Sequence, residues 1–209
     1  MHVPAHFAAD DPRALLSALV TRTLPHLVTT TAEGMVATPV PLLYDAGRGE
    51  HGTLLGHLAR ANPQWRAANG TEALVIVLGA DAYISPNWYA SKQDDGRVVP
   101  TWNYEAVHAY GPFVVRDDAA WKHALVRRLT DVHELTQAKP WSIDDAPSAH
   151  IESRLSAVVG FEIAVTRLVA KQKLSQNRPA ADVESVIGAL ANRSEGERDV
   201  SDAMSRDRT

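Results

Sequence analysis

The sequence predicts a mainly β fold, an antiparallel β-barrel with helical additions. Three observations carry this. Short β-rich runs follow one another with tight glycine- or proline-containing turns between them. One continuous apolar run, Ala73-Leu74-Val75-Ile76-Val77-Leu78-Gly79, has the composition of a strand buried on both faces. The helical patterns are few and interrupt the strands, as they do in barrels that carry extra helices.

The elements follow in chain order. Asp10-Asp11-Pro12 opens a helix over Arg13 to Val20, because an aspartate accepts from free backbone N–H groups and proline suits the first turn. Leu15, Leu16, Leu19 and Val20 give it one apolar face. His26 to Thr31 reads as a strand, Ala32-Glu33-Gly34 as a hairpin break, and Met35 to Tyr44 as a second strand. Its two prolines mark that strand as an edge or irregular one. Asp45 to Glu50 is a turn and His51 to His57 a third strand. The run Ala73 to Gly79 pairs with Ala82 to Ser85 across a turn at Gly79-Ala80-Asp81. Thr101 to Val115 is a long strand broken near Gly111-Pro112. Asp117-Asp118 caps a helix to about Glu134 with a stripe of Trp121, Leu125, Leu129 and Val132. A further helix covers Ala149 to Val158, and a strand from Gly160 runs on towards Lys173. One domain over 1–191 is expected, with a polar, disordered tail over 192–209. No helix-turn-helix is evident.

Bulk composition narrows the function classes. Of 209 residues, 45% are hydrophobic and 22% charged, which is a globular balance. The absence of cysteine excludes disulfides and thiolate metal sites. The formal net charge of -4 runs against the basic surplus of a dedicated nucleic-acid binder. Met1 to Phe7 lacks a basic region followed by an apolar run, so no signal peptide is expected. No apolar stretch approaches the roughly 20 residues of a membrane helix. Cytoplasmic residence is the corresponding expectation. The nine histidines contain no HExxH and no pair with ligand spacing beside carboxylates, so no metal site is expected. Nucleophile-elbow, Walker and Rossmann motifs are likewise missing.

Four segments carry candidate chemistry. Gly56-His57-Leu58-Ala59-Arg60-Ala61-Asn62-Pro63-Gln64-Trp65 follows a strand and reads as the opening of a short helix. That reading puts His57 and Arg60 on one face beside free N–H groups, a phosphate-binding arrangement. The same pattern equally describes a solvated surface turn. Tyr83-Ile84-Ser85-Pro86-Asn87-Trp88-Tyr89 places two large aromatics after a strand end, either walling a flat ring or packing in the core. In Val99-Pro100-Thr101-Trp102-Asn103-Tyr104, strand alternation separates Trp102 from Thr101 and Asn103, whose polar groups suit a heteroaromatic edge. His108, further along, reads more simply as a packed strand residue than as a catalyst. Lys171-Gln172-Lys173-Leu174-Ser175-Gln176-Asn177-Arg178 is a basic strand exit, either solvated or supplying positive charge to a phosphate or an electron-rich ring.

Taken in order, Met1-His2-Val3-Pro4-Ala5-His6-Phe7, Gly56 to Pro63, Tyr83 to Tyr89, Val99 to Tyr104 and Lys173 to Arg178 resemble the PaiB-like family of FMN-binding negative transcriptional regulators. The resemblance runs to about Leu190. It implies a pyridoxamine-oxidase-like FMN-binding split barrel of Greek-key antiparallel topology, a homodimer, and FMN at the subunit boundary. It places phosphate at His57 and Arg60, with Asn62 among the cofactor-binding residues. It places the ring against Thr38, Pro39, Val40, Trp88, Tyr89, Pro100, Thr101, Trp102 and Asn103, with Lys173, Ser175, Gln176, Asn177 and Arg178 closing the site. Negative control of transcription is the implied role, and direct DNA binding has no support from charge or motif. No acid or base stands out, so an enzyme is not expected. The alternative is a flavin-dependent oxidoreductase or flavin reductase acting on a small substrate.

Overall fold

The computed structural model describes residues 1–207. Eight strands form one sheet in the order β2-β1-β5-β6-β7-β4-β3, with β8 paired to β6. The strands are β1 (His26–Thr31), β2 (Gly34–Pro39), β3 (Leu42–Asp45), β4 (Thr53–Ala59), β5 (Glu72–Ile84), β6 (Thr101–Arg116), β7 (Val158–Ala164) and β8 (Arg167–Lys173). The helices are α1 (Pro12–Leu19), α2 (Gln64–Ala68), α3 (Lys92–Asp95), α4 (Ala119–Glu134), α5 (Ser148–Ser156), α6 (Ala180–Ala191) and α7 (Glu195–Arg206). The chain forms two compact units. The first holds 1–10, 78–107 and 170–209, and the second 11–77 and 108–169.

In the second unit, Asp11 caps α1 as expected, its side chain accepting from Arg13 N and Ala14 N at 3.0 Å. Leu16 and Leu19 turn inward. β1 and β2 form a hairpin with Thr31 opposite Gly34, and Gly34 adopts φ +116°, a conformation open to glycine. β4 pairs antiparallel with both β3 and β7. Phe113 of β6 and Phe161 of β7 stack with centroids 4.7 Å apart, and both are fully buried. Gly160, opposite Arg116, leaves room for the Trp121 ring of α4. A Cβ there would lie 2.3 Å from Trp121 and 2.5 Å from the Arg116 carbonyl oxygen. Gly160→Ala should therefore destabilise by about 2–3 kcal/mol through overpacking, read from a denaturant midpoint.

The first unit has its own core. Ala82, Ile84, Tyr89, Leu174, Val183, Val186, Leu190, Val200, Ala203 and Met204 pack together. α6 and α7 contribute most of it, and the carboxylate of Asp182, 1% exposed, accepts from Ser91 N and Ser91 Oγ at 2.8 Å.

The structure corrects several sequence expectations. No turn interrupts β5 at Gly79-Ala80-Asp81. The buried side chains instead change phase between Val77 and Ala82, so small and polar residues there mark a frame shift. β6 likewise runs unbroken through Gly111-Pro112, with the proline exposed. The strand expected from Met35 to Tyr44 divides at Val40-Pro41, and the one expected from Gly160 to Lys173 divides at Val165-Thr166. Val132 falls outside the buried stripe of α4, and Lys122 takes a buried place there instead, its Nζ 2.8 Å from Asp117. The largest correction is the tail. From Glu195 it is helix α7, begun by a reciprocal Ser194–Glu197 capping box, and Val200, Ala203 and Met204 are buried. Residues 208 and 209 of the expected tail lie outside the described residues.

Candidate functional site

The residues nominated from sequence fall on both units, and each unit brings its own set together. In the second unit the segment after β4 differs from the expected helix start. His57 lies within β4, Arg60 follows it in a turn, and helix begins only at Gln64. The reason is the β4–β7 pairing, which extends through His57↔Gly160 to Ala59↔Val158 and holds the backbone extended. His57 and Arg60 therefore do not share a helical face.

Arg60 is heavily engaged. Its guanidinium grips Asp117 through two bonds of 2.6 and 2.9 Å and donates to the carbonyls of Ser156 and Val158 at 2.7 and 3.0 Å. Hydrogen bonds from Arg60 and Lys122 hold the Asp117 carboxyl well below its ordinary range. A depressed carboxyl contributes stability above its ordinary value of 3.8, and that contribution fades as the pH falls through its lower folded value. Arg60→Ala should thus lower the melting temperature at pH 7, and the difference from wild type should shrink below about pH 4. The ratio of FMN to riboflavin affinity should stay unchanged, which paired titrations would check.

Thr38 and Asn62 do meet. Asn62 Nδ2 donates to Thr38 Oγ1 at 3.3 Å, and Thr38 donates to Gln64 Oε1 at 2.6 Å. Gln64, 2% exposed, ties β1 and β2 to this turn through Thr29 Oγ1 at 3.0 Å and Val36 O at 3.3 Å. Asn62, Pro63 and Gln64 line a cavity of about 200 Å³ with Thr31, Val36 and Ala67. Val40 is buried, whereas Pro39 is exposed at the end of β2. The His57 imidazole is largely enclosed. Burial lowers its pKa, and its Nδ1 is buried without a partner.

In the first unit, β6 and β8 run side by side. Thr101, Trp102 and Asn103 open β6, while Lys171 and Lys173 close β8. Lys173 Nζ donates to Thr101 Oγ1 and to the Trp102 carbonyl, both at 2.5 Å. Trp102 is 53% exposed and meets Tyr83 edge to face at 6.1 Å. Asn103 is fully buried and bonded to Ser175. Ser175 to Arg178 form a turn closed by Arg178 N donating to Ser175 O at 2.9 Å. Within it Gln176 Oε1 accepts from Leu174 N at 2.8 Å, and Asn177 is exposed. Arg178 lies over the Tyr89 ring, 4.6 Å from its centroid. Tyr89 is itself buried with its hydroxyl unpartnered, while Trp88 is half-buried and Pro100 exposed.

This surface concentrates positive charge. Burial, then Lys171, then Arg178 lower the pKa of Lys173. Among the described residues none of these three cations forms a salt bridge with a carboxylate. Lys171 and Lys173 instead face the Phe7 ring at 5.8 and 5.7 Å. Clustered cations attract an anion. An exposed indole beside them offers a stacking wall, and Thr101 supplies a hydroxyl. These residues suit a phosphorylated, flat heteroaromatic group. Lys171, Phe7 and Gln64 lie in segments marked out from the sequence but were not singled out there as cofactor-binding residues. Only the period-2 spacing of Lys171 and Lys173 signalled one of them.

The fold is that of the flavin-binding split barrels. Residues 1–167 match the family model described as "Putative FMN-binding domain". The chain is 34% identical over 196 residues to the "Protease synthase and sporulation protein PAI 2" of Bacillus subtilis (strain 168), covering 92% of this chain and 90% of that protein. It belongs to this FMN-binding family, the PaiB-like proteins, whose cofactor is FMN. Two solved structures share the fold. The flavocytochrome Anf3 of Azotobacter vinelandii superposes with TM-score 0.55 at 17% identity over 82% of this chain and 72% of its own. A conserved hypothetical protein of Mycobacterium tuberculosis gives 0.56 at 11% identity over 86% and 94%. Among the described residues no helix is long and apolar enough to cross a membrane.

Proposed function

We propose that this FMN-binding protein acts as a homodimeric negative regulator of transcription, and that each of the two sets described above is by itself a candidate FMN contact. The observation that carries the FMN assignment is the cluster of Lys171, Lys173 and Arg178 next to Trp102, which forms no salt bridge with a carboxylate among the described residues. In this reading Lys173 and Arg178 hold the anionic end and Trp102 lies against the ring. Thr101 offers a hydroxyl, and Ser175 to Arg178 shape the edge. Thr38, Asn62 and the unpartnered Nδ1 of His57 form the second set. The cavity beside Asn62 is smaller than the roughly 300 Å³ at the lower end of small-molecule sites, so it receives at most part of a flavin.

FMN supplies a redox-active ring when bound; the chain's residues bind and orient it. Binding to the folded dimer stabilises that dimer by mass action, about 2.7 kcal/mol at a hundredfold excess over Kd. The net charge of -4 favours a regulatory effect through a partner over direct DNA reading. A titration with FMN, followed by a sizing run, tests the reading. Saturable quenching of flavin fluorescence and elution as a dimer support it. Absent uptake removes the FMN site, and a monomer at saturating FMN removes the dimer. Rapid anaerobic bleaching of bound FMN by NADH or NADPH would instead favour a reductase.

A further inference from the structure

We propose that α7 is a positioning element for the flavin surface, acting through Met204 and the Asn103–Ser175 pair; this rests on the assignment of Thr101, Trp102 and Lys173 to FMN. Three observations meet at one point. Asn103 is fully buried two residues after Thr101, and its Nδ2 donates to Met204 Sδ at 3.4 Å. Ser175 Oγ lies 3.0 Å from Asn103 Nδ2 and 3.2 Å from Asn103 Oδ1. Ser175 also has φ 69°, the one positive value among the described non-glycine residues.

A serine in the left-handed region is strained and stays there only where its surroundings over-determine it. Here the constraint is the buried amide of Asn103, which is held in turn by the thioether on α7. Ser175 follows Lys173 by two residues, so its conformation sets the direction in which the chain leaves β8. Asn103 likewise fixes the start of β6, where Thr101 and the Trp102 carbonyl accept from Lys173. Helix α7 thus bonds Asn103 directly through Met204 and reaches Thr101 and Lys173 through the chain on either side of the Asn103–Ser175 pair. Val200 and Ala203 keep Met204 in place by packing in the same core. Loss of the sulfur acceptor leaves the Asn103 amide one bond short inside the protein, and the turn at Ser175 loosens.

Coupling of this kind is reciprocal: an element that aids binding is itself made firmer by binding. The test uses the full chain with Met204→Leu, which keeps the volume but removes the acceptor, Ser175→Ala, which removes the hydroxyl, and Ser205→Ala as a control on the same helix. Met204→Leu should raise the FMN Kd about 5-fold and Ser175→Ala about 10-fold, with Ser205→Ala unchanged. FMN should also slow amide exchange in α7 of the wild type. Uptake by the wild type, with equal Kd in all three variants and unaltered exchange in α7, would overturn the positioning role and leave the FMN site standing. No uptake by the wild type would overturn the site assignment and the positioning role with it. A merely structural helix would lower the melting temperature in Met204→Leu without moving Kd or exchange.

Discussion

Lys173→Ala is expected to weaken FMN about 10- to 150-fold while changing riboflavin less than about 3-fold, because a charge-assisted contact to a phosphate is worth roughly 1.5–3 kcal/mol and riboflavin has no phosphate. The ammonium donates to Thr101 Oγ1 and to the Trp102 carbonyl, both at 2.5 Å. Its pKa is lowered by burial and by the neighbouring Lys171 and Arg178, so part of its own ionisation is unfavourable until an anion arrives. An anion relieves that repulsion, which makes the alanine variant lose both a contact and a compensated charge. Isothermal titration or fluorescence quenching with the two flavins measures the ratio. Equal losses for both ligands would move Lys173 from the phosphate to the ring.

Val200→Asp is expected to destabilise the protein by about 3–5 kcal/mol, an effect reserved for an uncompensated buried charge. Val200 is fully buried in the core with Leu174, Val186, Leu190 and Met204. A disordered tail would leave the same substitution silent. Denaturant unfolding followed by circular dichroism decides between them, and a change below about 0.5 kcal/mol would mean that α7 does not pack as described.

The contrast over α7 shows what sequence reading could and could not reach. Val200, Ala203 and Met204 stand at i, i+3 and i+4, a true helical stripe. It was hidden because the rest of Glu195 to Arg206 is strongly polar, and average polarity resembles disorder. The hairpin at Ala32-Glu33, the cap at Asp11 and the alternation along β6 were legible, since each depends on neighbours within a few residues. Asn103 was expected to face away from Trp102, and the burial of β6 follows that alternation. The environment of Arg60 was not legible. Its partner Asp117 lies 57 residues away in sequence, and only the β4–β7 pairing brings that region into register. A guanidinium three residues after a histidine looks available for a phosphate until the carboxylate that already holds it is known.

We infer that the positive charge of Lys171, Lys173 and Arg178 beside an exposed indole selects a phosphorylated flavin. Paired titrations of the wild-type protein with FMN and riboflavin test it most directly. Saturable quenching by both is expected, with FMN bound at least about tenfold more tightly, the worth of one good phosphate contact. Equal affinity for the two flavins, or no quenching by FMN at all, would contradict it.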